Sequence, residues 1–343
     1  MKKYLISENG NFYKANLHCH SIHSDGKLSP QELKEIYTEK GYSIIAFTDH
    51  DVFLSHSYLD DENFLALHGF EMEVDEEKDS DFCFKKTCHM CLIALDPLNM
   101  TQVCYHREKY LFANAPKYRD QIVFDTNLAD YERKYGGEGV SDMMRIGREN
   151  GFFVTYNHPG WSLETLNEYG NYNFMHAMEI GNYGCILAGY TDYNEKEYDQ
   201  MLSLGKRIYC IATDDNHNHH PKDSVHFDSF GCWTMIKAPK LEYKAITDAL
   251  VNGNFYASQG PEIYELVFED GKIKVKCSEA CKIVLNTGRR RTAVKVAENG
   301  VLLNSAEFDV FKEDNFVRIT VLDKFGKPAN TNAYFTDELF GGM

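Results

Sequence analysis

The clearest unit in the pattern of apolar and polar positions is a capped helix followed at once by an apolar run. In residues 28–41, Ser29 is placed to cap, Pro30 fits the first turn, Glu32 completes a capping box and Gly41 is a stop. Leu33, Ile36 and Tyr37 form an apolar stripe at helical spacing. Residues 43–47, Ser-Ile-Ile-Ala-Phe, then read as a strand buried on both faces, with Thr48-Asp49-His50 directly after it. The same order recurs along the chain. Apolar runs at 12–17, 151–156 and 206–212 lead into His18, into His158 and into Asp214-Asp215-Asn216-His217, and helical stretches at 141–149 and 194–204 intervene. Ionisable side chains at the carboxyl ends of successive strands are how a β/α barrel builds a site, so the pattern predicts an α/β fold of barrel type. An open doubly wound sheet usually carries a glycine-rich phosphate loop, and neither G-x-G-x-x-G nor a Walker sequence is present.

From about residue 260 the pattern changes to short alternating runs. Residues 265–269 and 272–277 flank Asp270-Gly271, which predicts a hairpin with a type I′ turn, and 282–285, 307–310 and 316–322 read as further strands. The expected organisation is a barrel over residues 1–260 and a small antiparallel, sandwich-like β domain over 261–343. The tail holds no histidine, so chemistry is expected in the first unit. Residues 96–139, rich in Tyr, Asn and charge, interrupt the alternation and read either as a wall or lid at the barrel mouth or as a peripheral excursion.

Composition narrows the function. A 43% hydrophobic and 13% aromatic share supports a packed core. Neither a signal-peptide core nor an apolar run of the roughly 18 residues needed to span a membrane occurs, which predicts a soluble, cytoplasmic protein. The ten cysteines lie mostly in apolar runs and read as reduced core residues. Lys and Arg number 36 against 52 Asp and Glu, a net charge of −16, which disfavours a nucleic acid polymer as partner and also repels small anions. An anionic substrate therefore requires bound cations.

The candidate chemistry lies at the strand ends. His18-Cys19-His20 on an extended segment puts two imidazoles on one side, able to hold one cation. Asp25 in Ser24-Asp25-Gly26, His50 beside Asp49, Glu71 in Gly69-Phe70-Glu71, then His89, His158, Asp215 and His217 add nitrogen and carboxylate donors of the kind divalent metals take. Each alone reads equally well as a core histidine, a cap or a surface acid; their recurrence at one end of successive strands does not.

This ordered set, His18-x-His20, Ser24-Asp25-Gly26, Thr48-Asp49-His50, Gly69-x-Glu71, His89, Asn157-His158-Pro159 and Asp215-x-His217, resembles the motifs of the polymerase and histidinol phosphatase (PHP) superfamily. The resemblance implies a distorted (β/α)7 TIM-like barrel with two or three divalent ions, Mn, Zn or Fe, at its strand ends. It further implies one metal on His18, His20, Glu71 and Asp215, a second bridged by Glu71 and held by His89 and His158, and a third on Asp25, His50 and His217. Segments 230–233 and 254–261, with the β-rich tail, resemble a branch that includes carbaryl-hydrolase-like proteins. Two acids adjoin at the last motif. The D-x-H spacing selects Asp215 as ligand and leaves Asp214 as a supporting group or a base near the bridging water.

The expected function is hydrolysis of a small phosphate ester, a phosphorylated metabolite or nucleotide, by water that the metals activate, with His217 or Asp214 protonating the leaving oxygen. The alternatives are a metal-dependent hydrolase of a carboxylic ester, amide or carbamate, and a non-catalytic protein that binds a ligand or partner. His23, His56, His106, His176, His219, His220 and His226 match no motif, and no Lys or Arg is assigned to phosphate.

Overall fold

The computed structural model describes residues 2–341. Its strands are β1 (Lys2–Tyr4), β2 (Asn11–Asn16), β3 (Ile44–Phe47), β4 (Leu65–Asp75), β5 (Thr87–Ala94), β6 (Phe152–Tyr156), β7 (Ala177–Asn182), β8 (Tyr209–Thr213), β9 (Trp233–Ala238) and β10 (Phe255–Ser258). In the tail follow β11 (Ile263–Glu269), β12 (Lys272–Ala280), β13 (Lys282–Thr287), β14 (Ala293–Val296), β15 (Leu303–Asp309), β16 (Phe316–Leu322), β17 (Pro328–Thr331) and β18 (Tyr334–Phe335). Helix α1 (Pro30–Thr38) carries the expected capping box: the Ser29 hydroxyl accepts from the Glu32 N–H, and the Glu32 carboxylate accepts from the Ser29 N–H at 2.8 Å. Helix α2 (Gly137–Glu149) starts four residues before the predicted position, because its Gly-Glu-Gly first turn offers no apolar periodicity to read.

Strands β2 to β8 neighbour one another in chain order within a mixed 14-stranded sheet. The β2–β3–β4 and β6–β7–β8 pairings are parallel, whereas β5 runs antiparallel to both β4 and β6. A uniform β/α alternation is therefore not observed. A parallel return needs a crossover of about a dozen residues or more, usually helical, and residues 76–86 between β4 and β5 hold only the short 3-10 turn Phe82–Phe84.

Nor does a ladder between β8 and β2 close the sheet. Their carboxyl-terminal extensions meet instead, through Asp215 N–H to the His18 carbonyl (3.0 Å) and His20 N–H to the Asn216 carbonyl (3.1 Å). Below this rim, Ala15, Ile44, Ala46, Leu67, Ile93, Phe153, Ala177 and Ile211 form one buried cluster, joined by Ile246 and Leu250 of the helix Tyr243–Val251. Each of β2 to β8 thus contributes to a common interior whose upper end is polar.

In the tail, Asp270 (φ 51°) and Gly271 (φ 74°) take the left-handed pair of conformations a type I′ turn needs. One sheet runs β1-β11-β12-β15; the other strands continue the large sheet through β17, β10 and β9 into β2. The sequence boundary at 260/261 therefore cuts a continuous sheet, and the N-terminal β1 pairs with β11 while Leu5 and Ile6 join the tail's core. Arg318 of β16, buried, adds a tie by donating to both Asp199 carboxylate oxygens at 2.7 and 2.8 Å. No helix among the described residues is long and apolar enough to cross a membrane.

Candidate metal centre

Strand alternation decides which side chains reach the polar end. On β4, Phe70 and Met72 point into a core shared with Val140, Met143 and Met144 of α2, which turns Glu71 and Glu73 the opposite way. On β5 the same rule sends Cys88, Met90 and Leu92 outward with that core and His89 and Cys91 inward; this C-x-x-C spacing thus spans both faces and does not form a zinc pair. His18 and His20 follow β2, His50 follows β3 and bridges to Glu71, His158 follows β6, and Asp215 and His217 follow β8. His158 (φ 23°) and Asp215 (φ 50°) hold left-handed backbone conformations that non-glycine residues rarely adopt. The His158 N–H, donated to Glu179 at 3.0 Å, and the rim bond of Asp215 fix them there.

These side chains converge in three overlapping groups, each with donor atoms within 4.8 Å of one another. His18, His20, Glu71 and Asp215 form the first, the His18 Nε2 lying 3.1 Å from both carboxylates and the His20 Nε2 3.3 and 3.0 Å from them. His50, Glu71 and His89 form the second. His158 stands beside it, its Nε2 3.4 Å from the Glu71 Oε1 that lies 3.2 Å from His89 Nδ1. The third joins His20, Asp25, His50 and His217, with Asp25 Oδ2 3.3 Å from His217 Nε2. Relative to the sequence expectation, His20 also faces the third group and His50 the second.

The donor set fits divalent cations. His20 Nδ1, His50 Nδ1, His89 Nε2 and Asp215 Oδ1 are buried without a hydrogen-bond partner, an arrangement that is costly unless a cation completes it. Without one, protons must balance the charge. Burial works against the charged forms, yet Asp215 and Glu71 hold His18 and His20 well above the usual imidazole range, and the surrounding histidines hold Glu71 well below the carboxylate range. His50 is pushed down to about 3 by burial, leaving a neutral imidazole of the kind a metal binds.

Of the two roles expected for Asp214, the geometry fits the supporting one. Asp214 is buried with its back to the cluster: Oδ2 accepts from Tyr37 and from the Phe230 N–H, both at 2.8 Å, and Oδ1 from the Gly231 and Cys232 N–H groups. These bonds tie the 230–232 turn and Tyr37 of α1 to the end of β8 and use the carboxylate as an anchor, the supporting role that the sequence also offered it. Of the unassigned histidines, His23 and His56 stack at 5.2 Å and form with Asp49 a further group of donor atoms within 4.8 Å of one another, which shares no residue with the three above.

Several contributors had no motif. Glu179 of β7, fully buried, lies 3.0 Å from His18 Nδ1 and also accepts from Asn182 and Thr213. It orients the ligand histidine and fixes which ring nitrogen faces the cluster. Its only sequence signal is an acid inside an apolar run. Glu179→Gln is expected to weaken metal retention by roughly 10- to 100-fold without unfolding the chain, checked by titration with a competing chelator. Glu73 lies 3.4 Å from His89 Nε2 and burial pushes its carboxyl up to about 7.

Glu164 holds the segment that carries His158. It accepts from Tyr135 (2.8 Å), Tyr156 (2.7 Å) and Tyr172, and burial outweighs these bonds, pushing its carboxyl up to about 7. The folded state therefore binds a proton more readily than the unfolded chain between about pH 4.5 and 7. Stability from this group is fully present below that window and falls as pH rises through it, by about 3 kcal/mol at most. Urea unfolding at intervals from pH 5 to 8 should show this slope, and Glu164→Gln should flatten it.

Above the ligands opens a cavity of about 390 Å³, walled by Phe82, Phe112, Trp161 and His219 and floored by the ligand groups. Phe112 lies 4.8 Å from the His50 ring, and the neighbouring Asn114 N–H donates to the Ser24 carbonyl at 2.9 Å. Of residues 96–139, Phe112 thus lines the mouth.

No protein-family model and no curated protein matches the chain. Solved structures similar to it include a two-domain protein of Bacteroides vulgatus containing a predicted PHP-like metal-dependent phosphoesterase, at 14% identity and a TM-score of 0.43 over 97% of this chain and 89% of that one. A candidate metal-dependent phosphoesterase of Bifidobacterium adolescentis is similar at 13% identity and 0.35 over 64% and 91%. An amidohydrolase of Chromobacterium violaceum with bound sulfate is similar at 14% and 0.37 over 59% and 87%. Likenesses this distant assign neither an activity nor a residue.

Proposed function

We propose that the chain is a metal-dependent hydrolase of the PHP type that cleaves a small phosphate ester, with His18, His20, Asp25, His50, Glu71, His89, His158, Asp215 and His217 as ligands of two or three divalent ions. The observation that carries this reading is the convergence of buried, unpartnered nitrogen and carboxylate donors at the floor of an open cavity. In the same reading β2 to β8 make a distorted barrel with its seam between β8 and β2, and the tail, joined to it through the β17–β10 pairing, is the β-rich part of the carbaryl-hydrolase-like branch.

Divalent ions held there would supply a hydroxide nucleophile at neutral pH and charge to offset the phosphoryl oxygens. The chain's own part is to place them. Glu71 offers one oxygen to each side of the cluster, Glu179 locks the His18 ring, and His217, with Asp25 against its Nε2, stands at the mouth, where in a two-ion site that leaves it unligated it would protonate a leaving oxygen. A carboxylic ester, amide or carbamate is the second reading, favoured by the lack of any Lys or Arg among the residues that line the cavity.

Metal analysis of the purified protein, with turnover of phenyl phosphate, a phosphate diester and p-nitrophenyl acetate in Mn²⁺ or Zn²⁺, tests both readings. Two or more equivalents of metal with phosphatase turnover are expected. Turnover of the acetate alone selects the second reading, and a protein that binds no metal overturns both.

A further inference from the structure

The cavity above the ligands differs in kind from its floor. Trp161 stands over the cluster with its ring 5.1 Å from those of His89 and His158, and Phe82 packs 5.7 Å from it on the outer side while remaining 50% exposed. The tryptophan is held from behind: Gly160 and Trp161 donate their N–H groups to the buried Asp192 carboxylate at 3.0 and 2.7 Å. The rest of the lining is acidic where it is charged, with Glu73 and Asp228 beyond the ligand carboxylates, and no Lys or Arg is among the lining residues. Arg133, which donates to the Glu73 carbonyl, is buried against Asp51.

We infer that this cavity takes an ester with one anionic, hydrolysable head and an uncharged aromatic leaving group, which stacks on Trp161 against Phe82. This rests on the phosphoesterase reading above for the head group and adds the chemistry of the other half of the substrate. The cations on the floor can balance one phosphoryl group. A second phosphate, on a bisphosphate, a nucleoside polyphosphate or a nucleic acid strand, would sit among Glu73 and Asp228, with no Lys or Arg among the lining residues to balance it. An aromatic ring can lie against the Trp161–Phe82 pair on one wall, with Phe112 also lining the cavity, and ring stacking in a partly desolvated cleft adds affinity beyond area alone.

The test uses the full chain loaded with Mn²⁺. Phenyl phosphate is expected to be turned over with a higher kcat/KM than glycerol 2-phosphate, and a nucleoside bisphosphate should be the poorest of the three. Trp161→Ala should lower kcat/KM for phenyl phosphate roughly tenfold, the factor that about 1.4 kcal/mol of stacking represents, and leave glycerol 2-phosphate within about twofold. Trp161→Phe should restore most of the loss, with metal content and Tm checked in each variant. Equal losses for both esters, or a preference for the bisphosphate, overturn the inference.

A second readout does not depend on turnover. The chain has two tryptophans, so Trp233→Phe leaves Trp161 as the single indole. Phenylphosphonate is expected to shift its emission, whereas methylphosphonate is not. If no phosphate ester is hydrolysed but the phenyl compound still shifts the emission, the phosphoesterase reading fails and the aromatic subsite stands. If esters are hydrolysed and neither phosphonate shifts it, the subsite fails alone. If neither is seen, both fail.

Discussion

Glu71→Gln is expected to cost the protein most of its bound metal and essentially all of its hydrolytic activity, with little change in Tm of the metal-free form. Glu71 is the one side chain shared by the first two ligand groups, with Oε2 3.1 Å from His18 Nε2 and Oε1 3.2 Å from His89 Nδ1. The amide keeps the shape but replaces one oxygen by an NH₂ that cannot ligate, and it removes the negative charge that two cations would share. The fall in activity should exceed the roughly 10- to 100-fold expected of a residue that only supports a ligand, such as Glu179. Elemental analysis after dialysis, together with kcat at saturating Mn²⁺, checks this. A variant that keeps its full metal content and loses activity tenfold or less would remove Glu71 from its bridging place.

Because α2 packs against Phe70 and Met72, the metal-free variant should keep its core. The distinction between site and scaffold on β4 is made by alternate residues of one strand. That alternation also explains what was legible in the sequence. Candidate ligands that follow an apolar run could be read from order and spacing, since a strand end is marked by the switch from apolar to ionisable residues, and the structure brings each of them into or beside the three groups.

What the sequence did not show was orientation at the turns. Asp214 and Asp215 are neighbours, but the left-handed backbone at Asp215 turns its carboxylate to His18 and His20 while Asp214 points to three backbone amides of the 230–232 turn. Spacing selected the ligand and could not reveal that the other acid faces away. Glu179 was invisible for a related reason: an acid inside a buried strand announces itself only through partners brought together by β2, β6 and β8, remote in sequence. The expected uniform β/α alternation is not observed where a connection is too short to hold a helix, between β4 and β5, and no ladder joins β8 to β2, whose ends meet through rim hydrogen bonds.

Arg133→Ala is expected to destabilise the fold by about 3 to 5 kcal/mol, the usual cost of leaving a buried charge without its partner. Arg133 belongs to the irregular segment 96–139, yet its side chain and that of Asp51 are each only 2% exposed. The guanidinium donates to both Asp51 oxygens, one of them at 3.0 Å, and to the Glu73 carbonyl at 2.9 Å, and it lies 4.0 Å over the Tyr110 ring. Asp51 directly follows His50 and takes a left-handed backbone (φ 56°), so the pair clamps the wall segment onto the turn that presents a ligand.

Burial outweighs Arg133 and raises the Asp51 carboxyl even in the intact pair, so removing the cation leaves that acid with the whole cost of desolvation. Asn suits both the left-handed backbone and the lost charge, so Arg133→Ala combined with Asp51→Asn should lose markedly less than the two single changes added together. Urea unfolding of the four proteins measures that difference. If the losses simply add, the pair does not act as a unit, and the wall is held by its other contacts, such as Asn114 on Ser24.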